Sequence, residues 1–165
     1  FNLTDENNEL RLNCIPNILH ITPSNKMKSD ALEQLQVKKP DSNAKPQSWH
    51  YSFVKFAARD LNKRFKKNYQ EKMNDHSWAG WAAVKMTSDT VARTQISSSK
   101  EILKYLKNKL SFDGQKGSDM NFRVTGQLRQ LILLVENDKI VAEAPIRGVA
   151  KPNTLDSLGI LECEN

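Results

Sequence analysis

The chain has 165 residues, 38% of them hydrophobic and 27% charged, with 25 lysines and arginines against 19 acids, for a formal net charge of +6. This length fits one domain with a core of its own. No apolar run approaches the roughly 20 residues that a membrane-crossing helix needs.

The opening Phe1-Asn2-Leu3-Thr4 has no basic start and no apolar h-region. That fits a cytosolic protein or a mature secreted one whose leader has been removed. Residues 1–16 are polar and irregular. Residues 17–21 alternate weakly and read as a short strand. Thr22-Pro23 then offers a hydroxyl cap followed by proline at the first helical position. Met27, Ala31, Leu32 and Leu35 recur on one side of this helix, which is expected to run to about residue 36. Residues 37–47 carry Pro40, Asp41, Ser42, Asn43 and Pro46, which is linker chemistry.

From Ser48 the helical period is strong. Trp49, Phe53, Phe56, Ala57, Leu61 and Phe65 fall three and four apart, predicting a helix over 48–68 with its lysines and arginines opposite. Asp75 or Ser77 caps a second helix that carries Trp78, Trp81, Ala82, Val84 and Val91 to about Thr94. Ser98 and Glu101 have capping-box spacing for a third, with Ile102, Leu103, Leu106 and Leu110 on one stripe. The period then changes. Met120, Phe122 and Val124 alternate, Gly126 breaks the run, and residues 131–135 and 139–144 flank Asn137-Asp138 as a two-residue hairpin. The class is mixed α/β or α+β, with helices packed on a small sheet and a C-terminal hairpin. It is one domain over 1–165: a strand–helix segment 1–36, a linker 37–47, and a helical and hairpin module 48–165. Trp81, Phe56, Phe65, Leu106 and Leu133 are expected to be buried together.

Few residues suggest chemistry. His20, His50 and His76 have no metal-ligand spacing, and no Gly-x-Ser-x-Gly elbow exists. Gly114 and Gly117 lack the spacing of a phosphate loop and suit a tight turn. No catalytic residue, cofactor or metal is therefore expected. The aromatic residues Trp49, Tyr51, Trp78 and Trp81 cluster on two neighbouring elements. Core is the first reading for Trp81, whereas Trp49 and Tyr51, beside the linker, could line a cleft or a partner surface. Lys55, Arg59, Lys63, Lys66 and Lys67 lie largely away from that aromatic side. They form either a solvated face or a docking face for an acidic protein. Without zinc spacing or an aromatic RNA-binding signature, this basic cluster does not read as a nucleic-acid site. Cys14 and Cys163, at opposite ends, are two free thiols or one disulfide.

Trp49 through Lys67 and then Ser77-Trp78-Ala79-Gly80-Trp81-Ala82-Ala83-Val84 resemble the paired helices near the end of type I periplasmic solute-binding proteins, the branched-chain amino-acid family of ABC transporters. Phe112-Asp113-Gly114 with the final hairpin resembles that family's Phe-Asp-Gly turn and last strands. The tail 152–159, with Asn17-Ile18-Leu19-His20 and Pro23-Ser24, is similar to the subgroup associated with PQQ-dependent alcohol dehydrogenase systems. The resemblance implies a Cys14–Cys163 disulfide, an oxidising periplasmic location and a partial periplasmic-binding-protein-like fold. It also implies a shortened relative without the second lobe that closes over a ligand. Where amino-acid binders of this family place an acid, the chain reads Trp81-Ala82-Ala83, which disfavours an ammonium ligand. The expected role is non-enzymatic: a periplasmic accessory of PQQ-dependent alcohol (methanol) oxidation. Its partner would be an acidic periplasmic protein such as the alcohol dehydrogenase or its complex. The alternative is a solute-binding component of an ABC transporter, holding a small ligand near Trp49, Tyr51, Trp78 and Trp81.

Overall fold

The run Ile132-Leu133-Leu134-Val135 is apolar at every position, so a strand made from it needs cover on both faces. The computed structural model, which describes residues 1–117 and 119–164, supplies that cover. Elements follow in the order α1 (Glu9–Leu12), α2 (Asn25–Lys38), β1 (Lys45–Gln47), α3 (Ala58–Tyr69), α4 (Asp75–Thr94), α5 (Ser99–Lys109), β2 (Ile132–Glu136) and β3 (Lys139–Ala144). A short 3-10 turn, Leu155–Ser157, closes the tail. β2 lies centrally in an antiparallel sheet of order β1-β2-β3. Ile132 and Leu134 point to one side, where Met27, Ala31 and Leu35 of α2 cover them with Ala144, Ile146 and Leu158. Leu133 and Val135 point to the other, against Trp49, Phe53, Leu61, Trp78, Met86 and Leu106. This is the mixed fold of helices on a small sheet that the sequence predicts.

The hairpin forms as expected. Asn137 and Asp138 both have positive φ (49° and 61°), the requirement of a tight two-residue turn whose twist matches its strands. Leu134 pairs with Ala142 and Val135 with Ile140, so Val141 is the extra residue of a bulge. α4 ends at Thr94 as expected, but Asn74 is its cap, accepting from the Ser77 N–H at 3.0 Å. α2 likewise starts later than expected, because Ser24 and not Thr22 accepts from Met27. α5 begins after Ser98, although that hydroxyl makes no cap bond.

Four larger expectations are corrected. The segment 48–68 is helical only from Ala58, because Phe56 and Ala57 take left-handed backbone angles and residues before them form turns. Asn62 explains the turns. Its amide donates to the carbonyls of Tyr51 and Phe53, both at 3.0 Å, and accepts from the Trp49 indole at 2.9 Å. The Trp49 N–H donates instead to Asp75 at 2.7 Å. Second, Phe56 is 52% exposed and does not join the core, while Trp81 and Phe65 are only partly buried against it beside Leu106 and Leu133. Third, 17–21 is not a strand of the sheet: His20 alone bridges Asn2 on one side and Gln127 on the other. The close approach there leaves no room for a side chain at Gly126 (φ 74°), whose Cβ would sit 2.5 Å from the Ile18 carbonyl. Fourth, the expected linker 37–47 is shorter: its first two residues continue α2 to Lys38 and its last three are strand β1, paired from Lys45 opposite Val135 to Gln47 opposite Leu133.

Cys14 and Cys163 are joined, with their Cα atoms 5.7 Å apart. The bond ties the N-terminal segment to the tail, and the Glu164 N–H donates to the Leu12 carbonyl beside it.

Candidate functional site

The four aromatic residues grouped in the sequence part company. Trp49 and Trp78 are 1% and 0% exposed, stacked on each other at 5.8 Å with planes 8° apart. Each indole N–H has an internal acceptor, Asn62 for Trp49 and the Gly114 carbonyl (3.1 Å) for Trp78. Their faces and polar edges are thus taken up inside the protein. Trp81 lies partly buried, 6.2 Å from Phe112. Only Tyr51 of the four reaches a polar surface cluster.

That cluster is built by the 48–57 turns, the α3–α4 connection and the tip of the β2–β3 hairpin. The Tyr51 hydroxyl donates to Asp138, and the Lys72 ammonium sits 3.7 Å from the centre of the Tyr51 ring. His50 lies beneath, its Nδ1 2.7 Å from the Ser52 hydroxyl and its Nε2 3.1 Å from Asp138. The Ser52 backbone N–H also points at Nδ1, so that nitrogen accepts and the Nε2–H donates to Asp138. The Tyr51 hydroxyl bond, with smaller help from His50 and Lys72, holds the Asp138 carboxyl below its ordinary range. Contact with Tyr51 first, and the Asp138 charge last, pushes Lys72 upward. The ordered line Ser52–His50–Asp138–Tyr51 clamps the turn segment to the hairpin tip. Sequence reasoning missed it because His50 and Asp138 are 88 residues apart.

Two of the depressions around the clamp are lined in part by Tyr51. One, of about 320 Å³, lies between Gln47 and the Asn74-Asp75-His76 start of α4. The other, of about 240 Å³, has Tyr51, Val54 and Met73 as its apolar lining and Arg59, Lys63, Lys66 and Lys72 around it. Arg59, Lys63 and Lys66 recur at i, i+4 and i+7, which puts them on one face of α3. Among the described residues none of these four cations, nor Lys67, has an acid within ion-pair distance. Lys55 differs: it precedes α3 and pairs with Glu143 at 2.6 Å.

The buried charges lie elsewhere and were not singled out in the sequence. Lys116 is wholly buried, donating to Gln130 at 2.8 Å and the Leu131 carbonyl at 3.0 Å, with its ammonium 4.1 Å from the Trp78 ring. Burial lowers its pKa to about 7. Arg11, also 0% exposed, donates to Gln127, Thr22 and Asn7, and burial lowers it to about 10. Arg123 and Arg129 share the single carboxylate of Asp156. Gln127 and Gln130, next to the expected strand break at Gly126, are the one visible signal: two amides in a run destined for the core need buried partners.

No protein-family model matches the sequence, and no curated protein does. Among solved structures, the fold is similar to that of a branched chain amino acid ABC transporter periplasmic ligand-binding protein from Burkholderia xenovorans LB400. The match has a TM-score of 0.51 at 18% identity and covers 61% of this chain. It spans 29% of the length of that protein. The likeness is one of fold: a partial, periplasmic-binding-protein-like arrangement of helices on a small sheet.

Proposed function

We propose that this chain is a non-enzymatic, extracytoplasmic accessory protein, derived from a solute-binding protein, that docks an acidic partner in PQQ-dependent alcohol oxidation. The observation that carries the docking reading is the row Arg59, Lys63 and Lys66 with Lys72 beside the same hollow, four exposed cations that, among the described residues, have no acid within ion-pair distance. Like charges held together repel slightly in the free protein, and an acidic surface turns that repulsion into attraction. The Cys14–Cys163 bond supports an oxidising compartment. The resemblance of the tail 152–159 supports the alcohol-oxidation context, with the dehydrogenase or its complex as the partner.

The experiment is surface plasmon resonance between this protein and the purified PQQ-dependent alcohol dehydrogenase of the same organism. Saturable binding is expected, and none at low ionic strength would sink the reading. A second reading, a solute-binding component of a transporter, draws on the fold likeness. Calorimetric titration with free leucine, valine and small alcohols separates the two, since only the second expects saturable heat. The interior stacking of Trp49 on Trp78 favours the first.

A further inference from the structure

The depression beside α3 has a feature that a plain charged face does not need. Val54 is 51% exposed at its edge, and Met73, 2% exposed, lies in its lining. Tyr51 is held in place by Asp138 and by Lys72 across its ring. An apolar hollow is thus bordered by four cations, with Asn62 completing its lining. Its volume, about 240 Å³, falls below the roughly 300–1,000 Å³ typical of small-molecule sites, which favours one large side chain over a whole free ligand. Arg59 to Lys66 extends along the helix by about 10 Å at 1.5 Å per residue. An extended peptide covers that length in about three residues.

We propose that this hollow receives one large apolar side chain from an acidic segment of the partner protein, with carboxylates on both sides of that side chain meeting Arg59, Lys63, Lys66 and Lys72. This rests on the reading of α3 as the docking face and adds the anchor to it. A buried apolar anchor within a charged rim divides the kinetics. The rim sets the rate of encounter, and the anchor sets the rate of escape.

The probe is a blocked heptapeptide of six aspartates and glutamates around a central phenylalanine, beside the same peptide with serine at the centre. Titration is followed by fluorescence anisotropy on the intact, oxidised protein. The phenylalanine peptide should bind about tenfold or more tightly than the serine peptide, the gain expected from burying one aromatic side chain. Val54→Trp, which fills the hollow from an exposed position, should abolish that difference without changing the melting temperature. Lys63→Gln with Lys66→Gln should weaken both peptides alike. Equal binding of the two peptides, unaffected by Val54→Trp, overturns the anchor and leaves the charged docking face standing. Failure of both peptides to bind at low salt overturns both.

Discussion

Lys116 sets the clearest residue-scale test. Its ammonium meets two oxygen acceptors and an aromatic face, an environment suited to a charged group, yet burial lowers its pKa from 10.5 to about 7. Between those values the unfolded chain holds a proton that the folded chain has released, so stability rises with pH from about 7 to about 10.5. Urea unfolding at pH 7 and pH 9.5 should show that gain for the native protein and a smaller gain for Lys116→Met. Identical pH slopes for the two would contradict the burial argument. His20 acts in the acid range. Burial, and then Arg11, lowers its pKa from 6.5 to about 4, so urea unfolding carried into the acid range should show stability lost as pH falls from 6.5 toward 4. The tryptophans can be ranked as well. Trp78→Ala should cost about 3–5 kcal/mol, the usual range for a large buried aromatic, and Trp81→Ala less. The sequence period put both on α4 correctly. Which of the two points into the interior depended on where Trp49 and Gly114 pack, and helical spacing alone does not carry that information.

At the scale of elements, the hairpin, α4 and α5 were legible because their signals are local: Asn137-Asp138 at a turn and apolar stripes at helical spacing, although the expected caps of the two helices did not form. The segment 48–57 was not. Its aromatic residues have helical spacing, but their backbone groups are bound by Asn62 and Asp75 from α3 and α4, and that tertiary hydrogen bonding overrides the period. Strand β1 was hidden by its own composition, since Pro46 reads as linker and survives here because proline is tolerated on an edge strand. Asn62 is the element-scale test. Asn62→Ala removes three part-buried hydrogen bonds at about 0.5–1.5 kcal/mol each, so a loss of about 2–4 kcal/mol is expected. Amide hydrogen exchange should quicken first in 49–57. Unchanged protection there would mean that something else holds the turns. The clamp of His50, Tyr51 and Asp138 could not have been read from sequence at all, because the hairpin tip and the turns meet only in the folded chain.

For the whole molecule, the long-range tie is the disulfide, which closes a loop with a sequence separation of 149. In the chain-entropy model such a loop contributes about 5 kcal/mol, so Cys14→Ser with Cys163→Ser should lower the melting temperature markedly under non-reducing conditions. A variant as stable as the native protein would show that the ends are held by packing alone. The composition already pointed to the molecule's other global property, its positive charge. The structure adds one place where, among the described residues, that charge gathers with no acid in ion-pair distance: around Val54 and Tyr51, on α3 and at Lys72, whereas Lys55 pairs with Glu143. Among the described residues, no helix is long and apolar enough to cross a membrane.

If this face docks an acidic protein as proposed, the association rate with the purified alcohol dehydrogenase reads it most directly. Measured by surface plasmon resonance, that rate should fall steeply as ionic strength rises past about 0.15 M, where the Debye length is only about 8 Å. Lys63→Glu with Lys66→Glu should slow association by about tenfold or more while changing dissociation far less. Association indifferent to both salt and charge reversal would contradict the account.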